Sequence, residues 1–303
     1  MNEKIKNGKK MKILAAIMLV TTAMIWGFAF VAQRVGAESL GALSFNGIRF
    51  AMGAISLIPV VLIFEREKPA PARIKRTFVA AAVGGVVLFT ASALQQYGIE
   101  LTQSAGKAGF ITGLYTVLVP IMTFVLYRKK NGIGVWTGAI LAVVGLFLLS
   151  VNEGFTVEYG DILLLIGAFF WAVHIIVVDR FIGGVSPLKF AMIQFAVCAV
   201  LNLVFAAFFE GFDLEAVRSA AFPLLYGGLC SVGVAYTLQI IGQKYSDPTF
   251  AAIVFSLESV FSAIGGAIIL GEEMSLRGYV GCVLIFGGII LSQIKFGKKH
   301  TEV

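Results

Sequence analysis

Residues 104–126 read SAGKAGFITGLYTVLVPIMTFVL, and this stretch indicates the class of protein. After Lys107 there is no charged side chain until Arg128. The twenty residues between them are enough for a helix to cross ~30 Å of hydrocarbon at about 1.5 Å per residue. The stretch is therefore predicted to be a membrane-spanning helix.

One face of this helix carries small residues and a proline. Gly109, Thr112, Gly113, Thr116 and Pro120 recur at spacings of three and four, which places them on the same side. A face this narrow lets another helix approach closely. Pro120 cannot donate a hydrogen bond to the carbonyl of Thr116, so the helix is predicted to kink there.

The composition of the whole chain agrees with a membrane protein. Of 303 residues, 58% are hydrophobic and 14% are charged, whereas soluble domains carry roughly a quarter charged residues. The predicted fold is an all-α polytopic membrane protein with ten transmembrane helices. The ten charge-poor stretches are 12–33, 42–64, 77–97, 105–127, 133–151, 160–181, 188–209, 220–242, 249–270 and 276–295.

The lysines and arginines predict the orientation of these spans. If the N-terminus lies in the cytoplasm, nineteen of the 24 basic residues fall on the cytoplasmic side, and only Arg34, Arg218 and Arg277 fall outside. Arg49 and Lys107 lie within spans. The positive-inside rule then predicts a multi-pass protein of the cell (inner or plasma) membrane with both termini in the cytoplasm. The net charge of +7 indicates contact with the lipid bilayer, and no nucleic-acid partner is expected.

The second half of the chain repeats the first. IWGFAFVAQR (25–34) resembles FWAVHIIVVDR (170–180), and LQQYG (94–98) resembles LQIIG (238–242). The offset between matching positions falls from 145 to 143 along the chain. The predicted units are residues 12–151 and 160–295, each with five spans. Because five is odd, the two units are predicted to have opposite orientations, which is the inverted-repeat plan of many secondary transporters.

These features resemble a known family. LSFNGIRFAMGA (43–54), and LESVFSAIGGAIILGEEMSLRGYVGCVLIFGGIIL (257–291) with its LGE sequence (270–272), are similar to the EamA branch of the drug/metabolite transporter superfamily. The resemblance implies ten helices, a central cavity lined by helices one to four and six to nine, and export of amino acids or other small metabolites. The chain departs from the family pattern in LYRKK (126–130) and in Ser259, where a proline is common.

Glu258 is the acidic residue predicted to lie near the middle of the membrane. It is about ten residues into the ninth span, and Ala251, Ser262 and Gly265 share its helical face. An ionisable residue at this depth is costly and usually marks an ion or substrate path. The alternative is a protonated Glu258 that hydrogen-bonds a neighbouring helix. In the first interpretation the proton is the candidate coupling ion.

Two repeat-related pairs are further candidates for substrate binding. Gln95 and Gln239 occupy matching places in spans three and eight, where their amides suit either a polar solute or a bond between helices. Trp26 and Trp171 match in spans one and six, where they suit core packing or an aromatic wall against a substrate.

The remaining candidates have an ordinary structural interpretation as well. Arg49 suits anion recognition or a structural tie, and Gln194 is its counterpart in the repeat. His174 is favoured as a packing residue. Lys107 either reaches the membrane surface or presents a cation to an outer vestibule. Tyr115, in the opening stretch, completes the set.

The sequence limits the function classes. It contains no phosphate-binding loop, metal-ligand cluster or catalytic triad, so no cofactor or metal is expected and ATP-driven pumping is excluded. The prediction is a secondary transporter, an exporter of small polar metabolites such as amino acids or amines. A passive channel is one alternative. A membrane-embedded lipid-modifying enzyme is another, although it would need paired catalytic groups where the spans offer only isolated Glu258 and His174.

Overall fold

The computed structural model describes residues 2–66, 70–150, 157–211, 213–270 and 275–294, and every regular element in these ranges is helical. Gly271 and Glu272 of the LGE sequence lie outside the described residues, as does the basic tail from 295 onward. The helices are α1 Asn2–Ala37, α2 Ala42–Phe64, α3 Pro71–Thr102, α4 Ala105–Gly113, α5 Tyr115–Tyr127, α6 Ile133–Ser150, α7 Tyr159–Ile182, α8 Pro187–Phe209, α9 Leu214–Ser219, α10 Ala221–Leu225, a π helix Tyr226–Tyr236, α11 Thr237–Gln243, α12 Pro248–Phe255, α13 Leu257–Leu270 and α14 Leu276–Gln293.

Eight helical segments in the described part of the chain are long and apolar enough to cross a membrane, and each overlaps one of predicted spans one to four and six to nine. The predicted fifth and tenth spans correspond to shorter apolar helices, Ile133–Leu149 and Leu276–Ser292. A helix satisfies its own backbone hydrogen bonds, so each of these segments can cross the hydrocarbon core of a membrane. The protein is therefore a polytopic helical membrane protein.

Two of the apolar segments that are long enough to span a membrane are interrupted near their middle. The first breaks at Leu114, between α4 and α5, and the other breaks at Ser256, between α12 and α13. Pro120 lies inside α5, six residues after the break at Leu114, and the kink predicted at Pro120 stays a prediction. Thr116 lies in the first turn of α5, so the carbonyl that Pro120 cannot bond is next to the break.

The segment around Ser256 breaks without a proline. The Ser256 N–H and hydroxyl both donate to the carbonyl of Ile253, at 3.3 and 2.6 Å, which closes a tight turn instead of continuing the α-helix. Ser259 therefore does not need to be proline for the helix to break near Glu258.

The two interrupted segments pack against each other by reciprocal hydrogen bonds. The Thr116 hydroxyl donates to the carbonyl of Ala252 at 3.2 Å, and the Ser259 hydroxyl donates to the carbonyl of Gly109 at 3.3 Å. The two donors, Thr116 and Ser259, are 143 positions apart in the sequence, and so are the two acceptors, Gly109 and Ala252. The small-residue face predicted in the opening stretch thus contacts α12 and α13.

Helices α6 and α14 approach each other through paired glycines. A Cβ atom added to Gly138 would lie 2.5 Å from the carbonyl oxygen of Gly288, and the reverse distance is the same. Gly145 and Gly281 face each other with the same 2.5 Å spacing. Because real Cβ contacts are longer than this, only glycine lets the two backbones meet here.

Helices α2 and α8 begin with a carboxylate cap supplied by the other helix. The two oxygens of Glu210, just after α8, accept hydrogen bonds from the backbone N–H groups of residues 43–44, both at 2.8 Å. The two oxygens of Glu65, just after α2, accept hydrogen bonds from the backbone N–H groups of residues 188–189, at 3.0 and 3.2 Å. A carboxylate stabilises a helix N-terminus through its free N–H groups and its dipole. These caps join α2 and α8 at both ends.

Candidate functional site

One cavity lies between the helices and brings together seven of the ten candidate residues. These are Trp26, Arg49, Gln95, Tyr115, Trp171, Gln239 and Glu258. The resemblance implied that span seven would also line a central cavity, but α8 contributes no lining residue. The volume of the cavity that the centres of water molecules can occupy is ≈ 30 Å³. That is room for about two or three waters and not for an amino acid, so this conformation is closed around its cavity.

Glu258 and Tyr115 meet where the two interrupted segments cross. The Tyr115 hydroxyl donates a hydrogen bond of 2.8 Å to Glu258 Oε1, and each residue is 4% exposed. Both belong to the first turn of a helix that starts after a break, and they are 143 positions apart in the sequence. The N-terminal end of a helix carries partial positive charge, so α13 supplies a polar environment for the carboxyl group inside the membrane.

Aromatic rings form one wall of the cavity. Tyr236 lies with its ring centre 4.7 Å from that of Trp26 and 6.1 Å from that of Trp171. Phe255 contacts Trp26 on another side, at 5.2 Å. Both predicted tryptophans therefore serve packing and also face the cavity, which joins the two interpretations that the sequence left open.

The two predicted glutamines differ in their partners. The side-chain N–H of Gln95 donates to the Thr112 hydroxyl at 3.3 Å. Gln239 donates to the carboxamide oxygen of Gln243 at 2.9 Å, and Gln243 in turn donates to the carbonyl of Ile175 at 3.0 Å. Gln95 joins α3 to α4, whereas Gln239 bonds within α11 and Gln243 joins that helix to α7; Gln95 and Gln239 both border the cavity.

Arg49 is a buried cation at the edge of the cavity. It is 2% exposed, donates from Nε to Asn46 Oδ1 at 2.8 Å, and lies 4.7 Å from the ring centre of Phe50. Asn46 donates to the carbonyl of Ser92, which ties the group to α3. Within the part of the chain that the structure describes, Arg49 makes no ion pair. It is both a structural tie and a lining residue.

Lys107 does not line the cavity. Its ammonium group lies 2.8 Å from Asp161 Oδ2 and 3.8 Å from Glu158 Oε1, and its side chain is 15% exposed. The structure adds a partner that neither sequence interpretation of Lys107 named, the acidic start of α7, and both interpretations stay predictions. The ion pairs join α4 to α7.

His174 and Gln194 lie behind the aromatic wall and not at the cavity. His174 Nε2 and Gln194 Oε1 are 3.3 Å apart, and the imidazole ring stands edge-on to Trp171 and Tyr236. His174 is fully buried, which agrees with the favoured interpretation of it as a packing residue. The match between Gln194 and Arg49 in the repeat does not give them the same surroundings.

Several lining residues were not among the site candidates predicted from the sequence, namely Gln33, Thr112, Ser231, Tyr236 and Phe255. Gln33 is a polar residue at the end of the first predicted span, and the rule that identified Gln95 also applies to it. Tyr236 is one helical turn before Gln239, so it shares that residue's face. Ser231 and Phe255 carry no comparable signal.

The π helix Tyr226–Tyr236 places part of the lining. Its wider turn changes which side chains share a face, so a 3.6-residue period does not predict their positions. Helix α1 is tied to it by the Trp26 indole, which donates to the carbonyl of Ser231 at 3.4 Å, and by the Thr22 hydroxyl, which donates to the carbonyl of Ala235 at 3.0 Å. Among the described residues, no group of three or more His, Cys, Asp or Glu residues is placed to hold a metal ion.

Comparison with known families identifies the chain. The model of the EamA-like transporter family matches residues 13–151 and again residues 158–293. The chain belongs to the EamA-like transporter family. It is thus a membrane transporter of the drug/metabolite transporter superfamily, as its sequence motifs predicted.

EamA-like relatives cover nearly the whole chain. An uncharacterized transporter of Archaeoglobus fulgidus is 28% identical over 94% of this chain and 87% of its own length. The uncharacterized transporter YoaV of Bacillus subtilis is 22% identical over 96% and 99%. The uncharacterized inner membrane transporter YedA of Escherichia coli K12 is 23% identical over 91% and 88%. A crystal structure that is 19% identical matches the fold with a TM-score of 0.76, over 92% of this chain and 96% of that chain.

Proposed function

We propose that this protein is a secondary transporter that exports small polar metabolites, such as amino acids or amines, and that the cavity around Glu258 is its substrate site. The observation that carries the proposal is the Tyr115–Glu258 hydrogen bond, which lies at the crossing of two interrupted helices and borders a closed cavity. Interrupted helices that meet at a cavity are a recurring way of building a binding site inside a membrane.

The proposal includes ten spans arranged as two inverted repeats, with both termini in the cytoplasm. The family model matches twice, and the reciprocal bonds of Thr116 and Ser259 support a two-fold relation between the two matches. Paired glycines between α6 and α14 support the same relation. Each of these helices has 18 residues, which is about 27 Å of helix and close to the thickness of the hydrocarbon core.

The small volume of the cavity supports alternating access. The cavity is too small for an amino acid, so a transported solute must enter and leave through other conformations. Glu258 gives this cycle a proton-exchanging group, since a carboxyl group in a dry site gains or loses its proton as water enters or leaves. The proton is therefore the proposed coupling ion, with its inward gradient driving export.

The test is solute counterflow in proteoliposomes that contain the purified protein. The panel consists of radiolabelled amino acids, primary amines and nucleosides. We expect saturable, trans-stimulated uptake of at least one amino acid or amine. Non-saturable flux without trans-stimulation would indicate a passive channel. If no panel member is moved by protein that remains folded and correctly inserted, the proposed substrate class is wrong.

A further inference from the structure

Two carboxamide oxygens that belong to lining residues have no hydrogen-bond partner among the described residues. They are Gln33 Oε1 and Gln239 Oε1, on side chains that are 5% and 1% exposed. The indole N–H of Trp171, a donor only, is also buried at the cavity without a partner in the described part of the chain. Because nearly all buried polar atoms in folded proteins are hydrogen-bonded, unpartnered atoms around a cavity bond to what fills it, which is either water or a solute.

The orientation of the Gln239 amide follows from its neighbours. The backbone carbonyl of Ile175 can only accept, so Gln243 must present its NH₂ group to it, at 3.0 Å. The Gln243 oxygen is then directed to Gln239, which must donate its own NH₂ group, at 2.9 Å. The chain Ile175–Gln243–Gln239 therefore leaves an acceptor, and not a donor, as the free atom of Gln239.

Gln33 is oriented by the same chemistry from another helix. Its NH₂ group donates to the carbonyl of Ala29 at 3.3 Å, so its oxygen is the free atom. The backbone carbonyl of Gln33 accepts from the Gln96 side chain at 3.1 Å, which ties α1 to α3. The cavity thus has an oriented acceptor from α1 and another from α11, in addition to the Glu258 carboxyl group.

We propose that Gln239 is a specificity-determining residue whose Oε1 accepts a hydrogen bond from an N–H group of the transported solute. Gln243, which does not line the cavity, is the positioning residue that keeps this oxygen free. The solute class is one that carries an N–H donor next to an apolar group, because the aromatic rings of Trp26 and Tyr236 face the rest of the cavity. This inference rests on the proposed transport function and adds the discrimination between N–H and N-methyl solutes.

The experiment compares each transported solute with its N-methylated form. L-phenylalanine, phenethylamine and their N-trimethyl derivatives are first tested as competitors of counterflow, with the panel member that the parent protein transports as the labelled solute. The N–H and N-methyl forms of that panel member are then compared in the same way. The parent is expected to prefer the N–H form by about tenfold or more, which is the usual penalty for leaving a buried acceptor unpaired.

Three variants separate hydrogen bonding from size and from general damage. Gln239→Leu is expected to lose the preference, to about twofold or less, mainly because the N–H form binds less well. Gln243→Leu frees the Gln239 amide to rotate and should give an intermediate preference. Asn202→Leu removes a fully buried carboxamide on α8, which contributes no lining residue, and it should keep the parent's preference.

The outcomes distinguish this inference from the proposed function. If the parent transports solutes but shows no preference for N–H forms, or only transports solutes that lack an N–H, the role of Gln239 is wrong while the transport function stands. If Gln239→Leu weakens both forms equally, Gln239 is only structural. If the parent transports no panel member, the proposed function itself fails.

Discussion

At the level of single residues, two structural features next to the Glu258 carboxyl group matter for a transport cycle. Its carboxyl group accepts a hydrogen bond from Tyr115, and it lies in the first turn of α13, where free backbone N–H groups are close. Both features stabilise a carboxyl group away from water, and both depend on the crossing of the two interrupted segments. A movement of either segment would change how readily Glu258 holds its proton.

Replacing Glu258 with glutamine tests this role. The substituted amide keeps the shape of the side chain and still accepts from the Tyr115 hydroxyl, but it cannot release a proton. We expect Glu258→Gln to retain solute exchange and to lose accumulation driven by a pH gradient across proteoliposomes. Tyr115→Phe is the matched control, since it removes the hydrogen bond and leaves the carboxyl group in place, so it should still respond to the gradient. A Glu258→Gln variant that responds as the parent does would make Glu258 a structural residue.

At the level of helices, close backbone approach decides how α6 and α14 pack. Membrane helices gain little from the hydrophobic effect when they associate in lipid, so contact at glycines and van der Waals packing hold them together. Gly288 is in such a contact, with the carbonyl of Gly138 at 2.5 Å from an added Cβ atom. Its neighbour Gly287, on the same helix, has nothing within 4 Å of an added Cβ atom.

These neighbouring glycines give a matched pair of substitutions. Gly288→Ala must separate α6 from α14, and we expect it to lower the thermal unfolding temperature in detergent by several degrees. Gly287→Ala adds the same methyl group into open space and raises helix propensity, so it should be neutral or stabilise by up to about 1 kcal/mol. Thermal unfolding of the two purified variants decides the point. Equal losses in both would show that the glycine contact is not what holds these helices.

At the level of the whole molecule, ion pairs join helical segments at two places in the structure. The predicted topology puts these two places on opposite sides of the membrane. Lys107 pairs with Asp161 on the predicted outer side, and Lys129 pairs with Asp247 on the predicted inner side. The cavity between them is closed. In an alternating-access cycle, these pairs would break and re-form at different steps.

Lysine-to-methionine substitutions at the two positions should act in opposite directions. With the native Cys198, Cys230 and Cys282 replaced by serine, a single Ser231→Cys reports access to the cavity. We expect Lys107→Met to increase labelling by an external membrane-impermeant thiol reagent several-fold, because it frees α4 from α7. Lys129→Met should leave external labelling unchanged or lower it. Increased labelling in both variants would contradict separate outer and inner closures.

The orientation of the protein has its own test. Single cysteines at Ser39 and Lys130, both exposed, lie in loops that the charge distribution places on opposite sides of the membrane. In the same cysteine-free background, the impermeant reagent should label Ser39→Cys in intact cells and should label Lys130→Cys only after permeabilisation. External labelling of Lys130→Cys would reverse the predicted topology.

Structural properties that depend on the free-energy cost of placing a single residue in hydrocarbon could be predicted from the sequence. The long charge-free stretches and the polar candidates Glu258 and Gln95 follow from that cost, because it acts on each residue wherever its neighbours lie. Seven of the ten candidate residues border the same cavity.

Properties that depend on which helix faces which had to come from the folded molecule. Nothing near Lys107 in the sequence names Asp161 as its partner, and nothing near Tyr115 names Glu258, which follows 143 positions later. The break at Leu114 and the π helix before Thr237 also fall in this group. Backbone irregularities and polar partners inside a membrane are stabilised by contacts between helices, and such contacts are set by three-dimensional packing that a linear pattern does not contain.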